Sequence, residues 1–264
     1  IKIENNVTIS EITNDGLLQS IKVNNKKKKY NLVIVCTGAN SPLVKNYFKD
    51  KIIEKSYKES SITTILNHNH LKENHTVRQI FMDNQILALL PISNKKTAVV
   101  WSVKKRLKKN DLEIKKRIKF YVKNYLKNIS FINKIEYKNL IFLIREKYYK
   151  DRTLLFGDAL HIIHPFVGQG FNMTLRDLDS LNSILKKKIS LGLDIGSSDI
   201  LFEFSNEIKS RNFAFSISVD ILKNSFSINN SYFKKIRNSI LNTLNKNDFC
   251  KDIFFNIADK GFKF

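Results

Sequence analysis

The densest run of chemically capable residues lies between Arg152 and Arg176, Arg-Thr-Leu-Leu-Phe-Gly-Asp-Ala-Leu-His-Ile-Ile-His-Pro-Phe-Val-Gly-Gln-Gly-Phe-Asn-Met-Thr-Leu-Arg. The apolar stretch Thr153 to Phe156 reads as a strand ending on Gly157-Asp158. An irregular segment with Pro165, Gly168 and Gly170 follows, and the pattern predicts a helix opening near Asn172. A carboxylate just past a strand can accept hydrogen bonds from sugar hydroxyls, as acidic residues do in dinucleotide folds. Glycines without a Cβ let the backbone approach a flat ring or take a positive φ. Pro165 fixes the loop between these groups, and the first turn of a helix offers unpaired amides and a positive dipole end to negative charge. Together they suit a segment that lays backbone amides and one carboxylate against a bound dinucleotide.

His161 and His164 share this run, and with His68, His70 and His75 they raise the question of a metal, because closely spaced imidazoles are frequent ligands. No matching Cys or carboxylate cluster accompanies them, so no metal is expected; His68, His70 and His75 read as loop or strand-edge residues. Arg176 could pair with Asp177 or Asp179 on the surface as readily as with a ligand. No Ser-His-Asp set and no paired carboxylates argue for hydrolysis.

These groups need a scaffold. Strand-like stretches over 7–12, 17–23 and 30–36, turned by Asn14-Asp15-Gly16 and by the lysine run Lys26 to Lys29, predict hairpins. They end with Cys36 at a buried strand end and the punctuation Thr37-Gly38-Ala39-Asn40-Ser41-Pro42. Further strands over 61–67, 76–82, 86–92 and 96–103 predict an antiparallel sheet. Asn110 or Asp111 can cap a helix from 112 to about 127, with Leu112, Ile118, Val122, Tyr125 and Leu126 on one face. An extended segment over 135–149 leads to the strand at 153. Leu175, Leu178, Leu181 and Leu185 mark an amphipathic helix closed by Gly192 and Gly196, and two more helices, over 199–225 and 230–246, precede a short tail.

With 264 residues, 42% of them hydrophobic and 19 Phe, the chain can bury a core. The longest apolar runs, Leu32 to Cys36 and Ile86 to Ile92, fall far short of the ~20 residues that span a bilayer. Cys36 and Cys250 make no disulfide framework, which points to a reducing, cytoplasmic setting. The chain opens on Ile1 in what reads as mid-sheet, so the true amino terminus is expected upstream. A net charge of +22 would attract phosphates, nucleic acid or anionic lipid. The joint abundance of Lys, Asn and Ile is also the bias of an AT-rich genome, and that reading is favoured, with Lys26 to Lys29, Lys104 to Lys109 and Lys186 to Lys188 as solvated charge at turns and helix ends. Aromatic residues do not interleave with these runs, so specific nucleic-acid binding is not expected.

The glycine-rich segment closely resembles the second FAD-binding motif of the class A flavoprotein aromatic hydroxylases, typified by para-hydroxybenzoate hydroxylase. The likeness is strongest to the ubiquinone-biosynthesis branch, whose motif reads Gly-Asp-Ala-Ala-His-x-x-His-Pro-x-x-Gly-Gln-Gly-x-Asn-x-x-x-Arg-Asp. It matches at Gly157, Asp158, Ala159, His161, His164, Pro165, Gly168, Gln169, Gly170, Asn172, Arg176 and Asp177. Leu87-Ala88-Leu89-Leu90-Pro91 and Val100-Trp101 resemble the same branch's strands over the substrate, and Thr37-Gly38-Ala39-Asn40-Ser41 resembles its middle motif, usually Ala-Asp-Gly-Ala-x-Ser. Here Cys36 and Thr37 replace Ala-Asp, so that motif's carboxylate is absent.

The resemblance implies an α/β (α+β) fold: a Rossmann-like FAD/NAD(P)-binding domain lacking its amino-terminal part, an inserted antiparallel-sheet substrate domain and carboxyl-terminal helices. The implied boundaries are 1–50 and 151–190 for the FAD-binding domain, 51–150 for the substrate sheet and 191–264 for the helical region. The implied FAD contacts are Gly38, Gly157, Asp158, Pro165, Gly168, Gln169, Gly170, Phe171 and Asn172, with Pro165, Gly168 and Gly170 shaping the oxygen site; no side chain is implied as catalytic. NAD(P)H would reduce FAD, O2 would add to give a flavin hydroperoxide, and its terminal oxygen would pass to an electron-rich ring such as a polyprenylphenol of ubiquinone biosynthesis. Peripheral attachment to the inner face of a membrane, or to a complex of that pathway, would suit such a substrate. The family's opening βαβ unit of ~30 residues carries Gly-x-Gly-x-x-Gly, and none of the eight glycines here forms it. A flavoenzyme acting on a soluble aromatic substrate and a non-catalytic basic binding protein of this fold remain as alternatives.

Overall fold

The computed structural model describes residues 2–49, 52–82, 85–104, 110–165, 168–228 and 230–260. In chain order the elements begin β1 (Ile9–Asp15), β2 (Leu18–Val23), β3 (Lys26–Tyr30), β4 (Val33–Val35), α1 (Pro42–Tyr47), β5 (Ile52–Asn67), β6 (Arg78–Met82), β7 (Gln85–Ser93), β8 (Lys96–Lys104) and α2 (Asp111–Val122). They continue with β9 (Ser130–Phe131), β10 (Glu136–Arg145), β11 (Tyr149–Lys150), β12 (Thr153–Leu155), a 3-10 turn (Gly157–Ala159) and β13 (His161–Ile162). The helices α3 (Gln169–Ser190), α4 (Ser198–Ser227), α5 (Ser231–Lys246) and α6 (Asp248–Lys260) complete the chain. Two compact units result: residues 1–55, 142–222 and 236–264 form the first, and residues 56–141 and 223–235 the second.

In the first unit, β1, β2 and β3 form an antiparallel meander. The lysine run is a strand rather than the expected turn. Asn24 and Asn25 both hold positive φ, 45° and 67°, and so make the tight two-residue hairpin by themselves, leaving Lys26 to pair directly with Val23. Lys27 and Lys29 then reach Asp15, and Lys28 reaches Glu4. Cys36 follows β4 directly but is exposed, not buried as expected.

A second small sheet places β4 parallel to β12, Val33 opposite Thr153 and Val35 opposite Leu155, with β11 antiparallel beyond β12. Leu154 and Leu155 are fully buried among Val35, Leu181, Leu201 and Phe204. The three residues of β12 are buried on both faces, whereas β4 buries Val35 and leaves Ile34 exposed. The Arg152 guanidinium locks the entrance of the pair, donating to the Asn31 carbonyl at 3.1 Å and to Asp194 Oδ1 at 2.9 Å. Gly196 lies against the same carbonyl, where a Cβ would come within 1.8 Å of Asn31 O.

In the second unit the strands run in the order β10-β5-β8-β7-β6, with β9 on β5. Trp101 is fully buried and meets Tyr121 edge-on at 5.6 Å. Helix α2 covers this face with Ile114, Ile118 and Val122, against Ile62, Leu66, Leu87, Leu89, Val99 and Val103. Asn110 caps it, accepting from Leu112 N and Glu113 N. The buried stripe therefore has a strict four-residue step, and Leu112, two residues out of phase, faces solvent instead of the core. His68, just past β5, is buried rather than peripheral, its ring bonded to the Asn69 carbonyl at 2.8 Å and to Thr97 Oγ1 at 2.9 Å. The lysine run over 104–109 lies outside the described residues beyond Lys104.

The expected tail after residue 246 is α6. Among the described residues no helix is long and apolar enough to cross a membrane.

Gly196→Ala should destabilise the fold by at least about 2 kcal/mol in denaturant unfolding, because the obstacle is backbone rather than a movable side chain. The hydrogen bonds from Arg152 hold the Asp194 carboxyl below its ordinary value. A carboxylate depressed in the folded state contributes stability above its unfolded pKa, and that contribution fades as pH falls through the folded value. Asp194→Asn should therefore lower stability at pH 6 and make little difference near pH 2, read by urea melts at both.

Candidate functional site

Parallel pairing brings two chain segments out of the sheet at the same end. The Phe156 amide donates to the Val35 carbonyl at 3.0 Å, so Thr37-Gly38 after β4 and Gly157-Asp158 after β12 leave from adjacent carboxyl ends. That edge is where open α/β sheets hold ligands. Gly38 has φ +80° and Gly157 φ +61°, conformations that L side chains resist, which is why glycine stands at both. Asp158 is exposed, while its neighbours Gly157 and Ala159 are buried.

The chain turns through the 3-10 segment, pairs β13 with β10 at Ile144 and Leu143, and enters α3. The helix opens at Gln169, three residues earlier than the spacing predicts. Gly168, at φ +67°, is its N-cap and supplies no side-chain hydrogen bond. The first amides of α3 are thus left for another acceptor. The side chain of Thr174, in the second turn, lies 3.6 Å from where a Gly157 Cβ would be, which brings the start of the helix against the end of β12. Asn172 Nδ2 donates to Gln169 Oε1 at 3.3 Å across the first turn. Phe171 is 70% exposed, and Pro165 is half-buried, with the residues between it and Gly168 outside the described set.

Buried polar contacts hold this loop in place. Arg145, 1% exposed, donates Nε to the Ala159 carbonyl at 2.9 Å, and its own amide bonds the Leu160 carbonyl. His161 Nε2 lies 2.7 Å from Asp177 Oδ2, both side chains fully enclosed. Asn212 on α4 donates to both Asp177 oxygens, at 3.0 and 2.9 Å. A carboxylate accepting on both oxygens puts a proton on His161 Nε2. Tyr148, alongside, has its hydroxyl pKa pushed well up by burial and then by the charge of Asp177. The Arg176 guanidinium lies over the Phe215 ring, 4.5 Å from the centroid.

Seven residues that the sequence singles out, Gly38, Gly157, Asp158, Gly168, Gln169, Gly170 and Asn172, are therefore brought to one end of one unit. Arg145, Tyr148 and Asn212 are the ones it misses. Arg145 ends an apolar strand and Asn212 sits inside a helix, and neither position carries a local signal.

The residues suit FAD. Gly38 and Gly168 have nothing within 4 Å of a notional Cβ, an open cradle for a flat ring, beside a helix start without a side-chain cap and an exposed carboxylate. A family profile described as "FAD binding domain" matches residues 22–192, more than half of the chain.

The chain belongs to the FAD-binding domain family.

Among curated relatives, the ubiquinone biosynthesis monooxygenase COQ6, mitochondrial, of Dictyostelium discoideum is 32% identical over 111 residues, 42% of the chain and 22% of the relative. The protein of the same name from Danio rerio is 22% identical over 250 residues, 80% of the chain and 51% of the relative. The chain thus spans about half the length of these relatives or less. Among solved structures, p-nitrophenol 4-monooxygenase PnpA of Pseudomonas putida DLL-E4 superposes with a TM-score of 0.79 at 14% identity, over 98% of the chain and 67% of its own. The anhydrotetracycline hydroxylase OxyS of Streptomyces rimosus gives 0.72 at 12% identity, over 98% and 52%. The fold is that of FAD-dependent aromatic hydroxylases.

Asp177→Ala would strand His161 and Asn212 without their shared acceptor and loosen the seat of α3. We expect a loss of about 3 kcal/mol in unfolding experiments, summed over two buried polar groups, together with weaker FAD retention after gel filtration.

Proposed function

We propose that this chain serves an FAD-dependent monooxygenase that hydroxylates an aromatic ring, with NAD(P)H and O2 as co-substrates and a prenylated phenol of ubiquinone biosynthesis as substrate. The observation that carries the reading is the meeting, at the carboxyl ends of β4 and β12, of the left-handed glycines, Asp158 and the uncapped start of α3. The relatives named for ubiquinone biosynthesis support the substrate class.

Each group then has a task. Asp158 is placed to accept from the hydroxyls of the ribityl chain, in the manner of acidic residues that follow strands in dinucleotide folds. The backbone of Gly168 to Asn172 offers amides and the positive helix end to negative charge on the flavin ring. Bound FAD would supply the electron transfer to dioxygen that no side chain can perform. The protein's share is binding, orientation and exclusion of water. In the second unit, Leu87 and Leu89 turn into the core under α2, whereas Leu90 and Ile92 stay exposed on the opposite face, which offers an apolar surface to a hydrophobic ring. Trp101 belongs to the core and is not available for stacking on substrate.

The complete gene product, purified with FAD, should be yellow and should oxidise NADH or NADPH at least about tenfold faster with a polyprenylphenol than without, a differential transition-state effect of ~1.4 kcal/mol. Stimulation by soluble hydroxybenzoates alone would overturn the substrate assignment. A colourless protein that takes up no flavin would overturn the enzyme reading itself.

A further inference from the structure

Away from the flavin-facing turns, the first unit carries a groove of about 770 Å3 between the start of β5, the end of β10 and one side of α4. That size lies within the range of small-molecule sites, roughly 300 to 1,000 Å3. Helix α4 lines it with Lys209 and Phe213, one turn apart, while Phe204 and Ile208 commit another side of the helix to the core. The strands add Ile52, Ile53 and Ile144. Ile53 is 56% exposed and Phe213 45%, and Ile52 is exposed as well, so this apolar wall is one that the unit's own core does not use. Exposed large apolar side chains gathered in one concavity mark a binding surface more often than a lone exposed leucine does.

The charges around the groove are unequal. Arg145 lines it and is 1% exposed, and its Nε bond at 2.9 Å goes to the Ala159 carbonyl, a neutral acceptor that leaves the guanidinium charge in place. Glu146 and Lys209 are both exposed, where water and salt screen them and where their signs oppose one another. The buried cation is screened far less, so it dominates the field inside the groove. An apolar wall beside a buried cation suits a ligand with an apolar body and one anionic head. A cationic head would be repelled, and a neutral one would gain nothing from the guanidinium.

We propose that this groove binds a small amphiphile with a single anionic head, a carboxylate or a phosphate, its body against Ile52, Ile53 and Phe213 and its head towards Arg145 and Lys209. The inference does not rest on the monooxygenase reading, since none of these residues is among the flavin contacts. An occupant would nevertheless reach the flavin-facing turn through one side chain, because Arg145 also holds Ala159, next to Asp158.

The test is calorimetric titration of the complete FAD-loaded protein with decanoate, decyl phosphate and decanol. At least one of the two anions should bind at least about tenfold more tightly than decanol, and their relative affinities tell carboxylate from phosphate recognition. The double variant Ile53→Thr with Phe213→Gln should lose at least about tenfold in affinity for the anion. Lys209→Glu, at an exposed position, should erase the advantage of the anions over decanol. Flavin absorbance should match the parent in both variants, which separates failure of this proposal from failure of the enzyme reading. Equal affinity for decanol and the anions, anion binding that Ile53→Thr with Phe213→Gln leaves intact, or no binding of either anion would overturn it. A melting temperature lowered by more than about 5 °C in that double variant, with no binding by the parent, would mean that another part of the complete protein covers the groove and would likewise overturn it.

Discussion

The parallel pairing of β4 with β12 is the constraint on which the functional site depends. These strands are three residues long and 117 residues of chain, much of it folded as a separate unit, intervene between Val35 and Thr153. Nothing local could hold so short a pair. It persists because β12 is buried on both faces, with Val35 of β4 buried beside it, and because Arg152 ties the start of β12 to the backbone before β4 and to the loop ahead of α4. Once the register is set, Gly38 and Asp158 must leave the sheet at one edge, and the rest of the site is built on that edge.

A second constraint acts through buried polar groups. The loop from Gly157 to Gly168 buries Ala159, Leu160 and Ile163, and a loop whose backbone runs near a core also requires partners for its amides and carbonyls. Arg145 supplies one for Ala159, and the His161–Asp177–Asn212 set joins the strand after the 3-10 turn to two helices. A fully bonded network of this kind rigidifies its surroundings, whereas a half-bonded one would be costly. The arrangement explains how glycines that could adopt many conformations hold one: their freedom is spent locally and recovered by fixed neighbours.

Several departures from the sequence reading share one cause. The lysine run became a strand because two adjacent asparagines already made the turn, and Leu112 faced outward because α2 follows a four-residue step set by the sheet beneath it. Helix α3 began at Gln169 rather than near Asn172, with Gly168 in the left-handed cap position. In each case the residue types were compatible with both outcomes, and the adjoining turn, cap or packing surface made the choice.

The glycine-rich segment, with Gly157-Asp158, Pro165, Gly168 and Gly170 at fixed spacing, was legible in the sequence because its chemistry is local: φ freedom, a short carboxylate and a helix start are properties of single residues in order. The antiparallel sheet and the helices were legible for the same reason, since periods of two and near four are written into the chain. The convergence of Gly38 with Asp158 depends on strand register across a long insertion, and the roles of Arg145, Tyr148 and Asn212 depend on burial next to groups distant in sequence. Burial and register are properties of pairs of segments brought together in space, so only the tertiary structure could decide them.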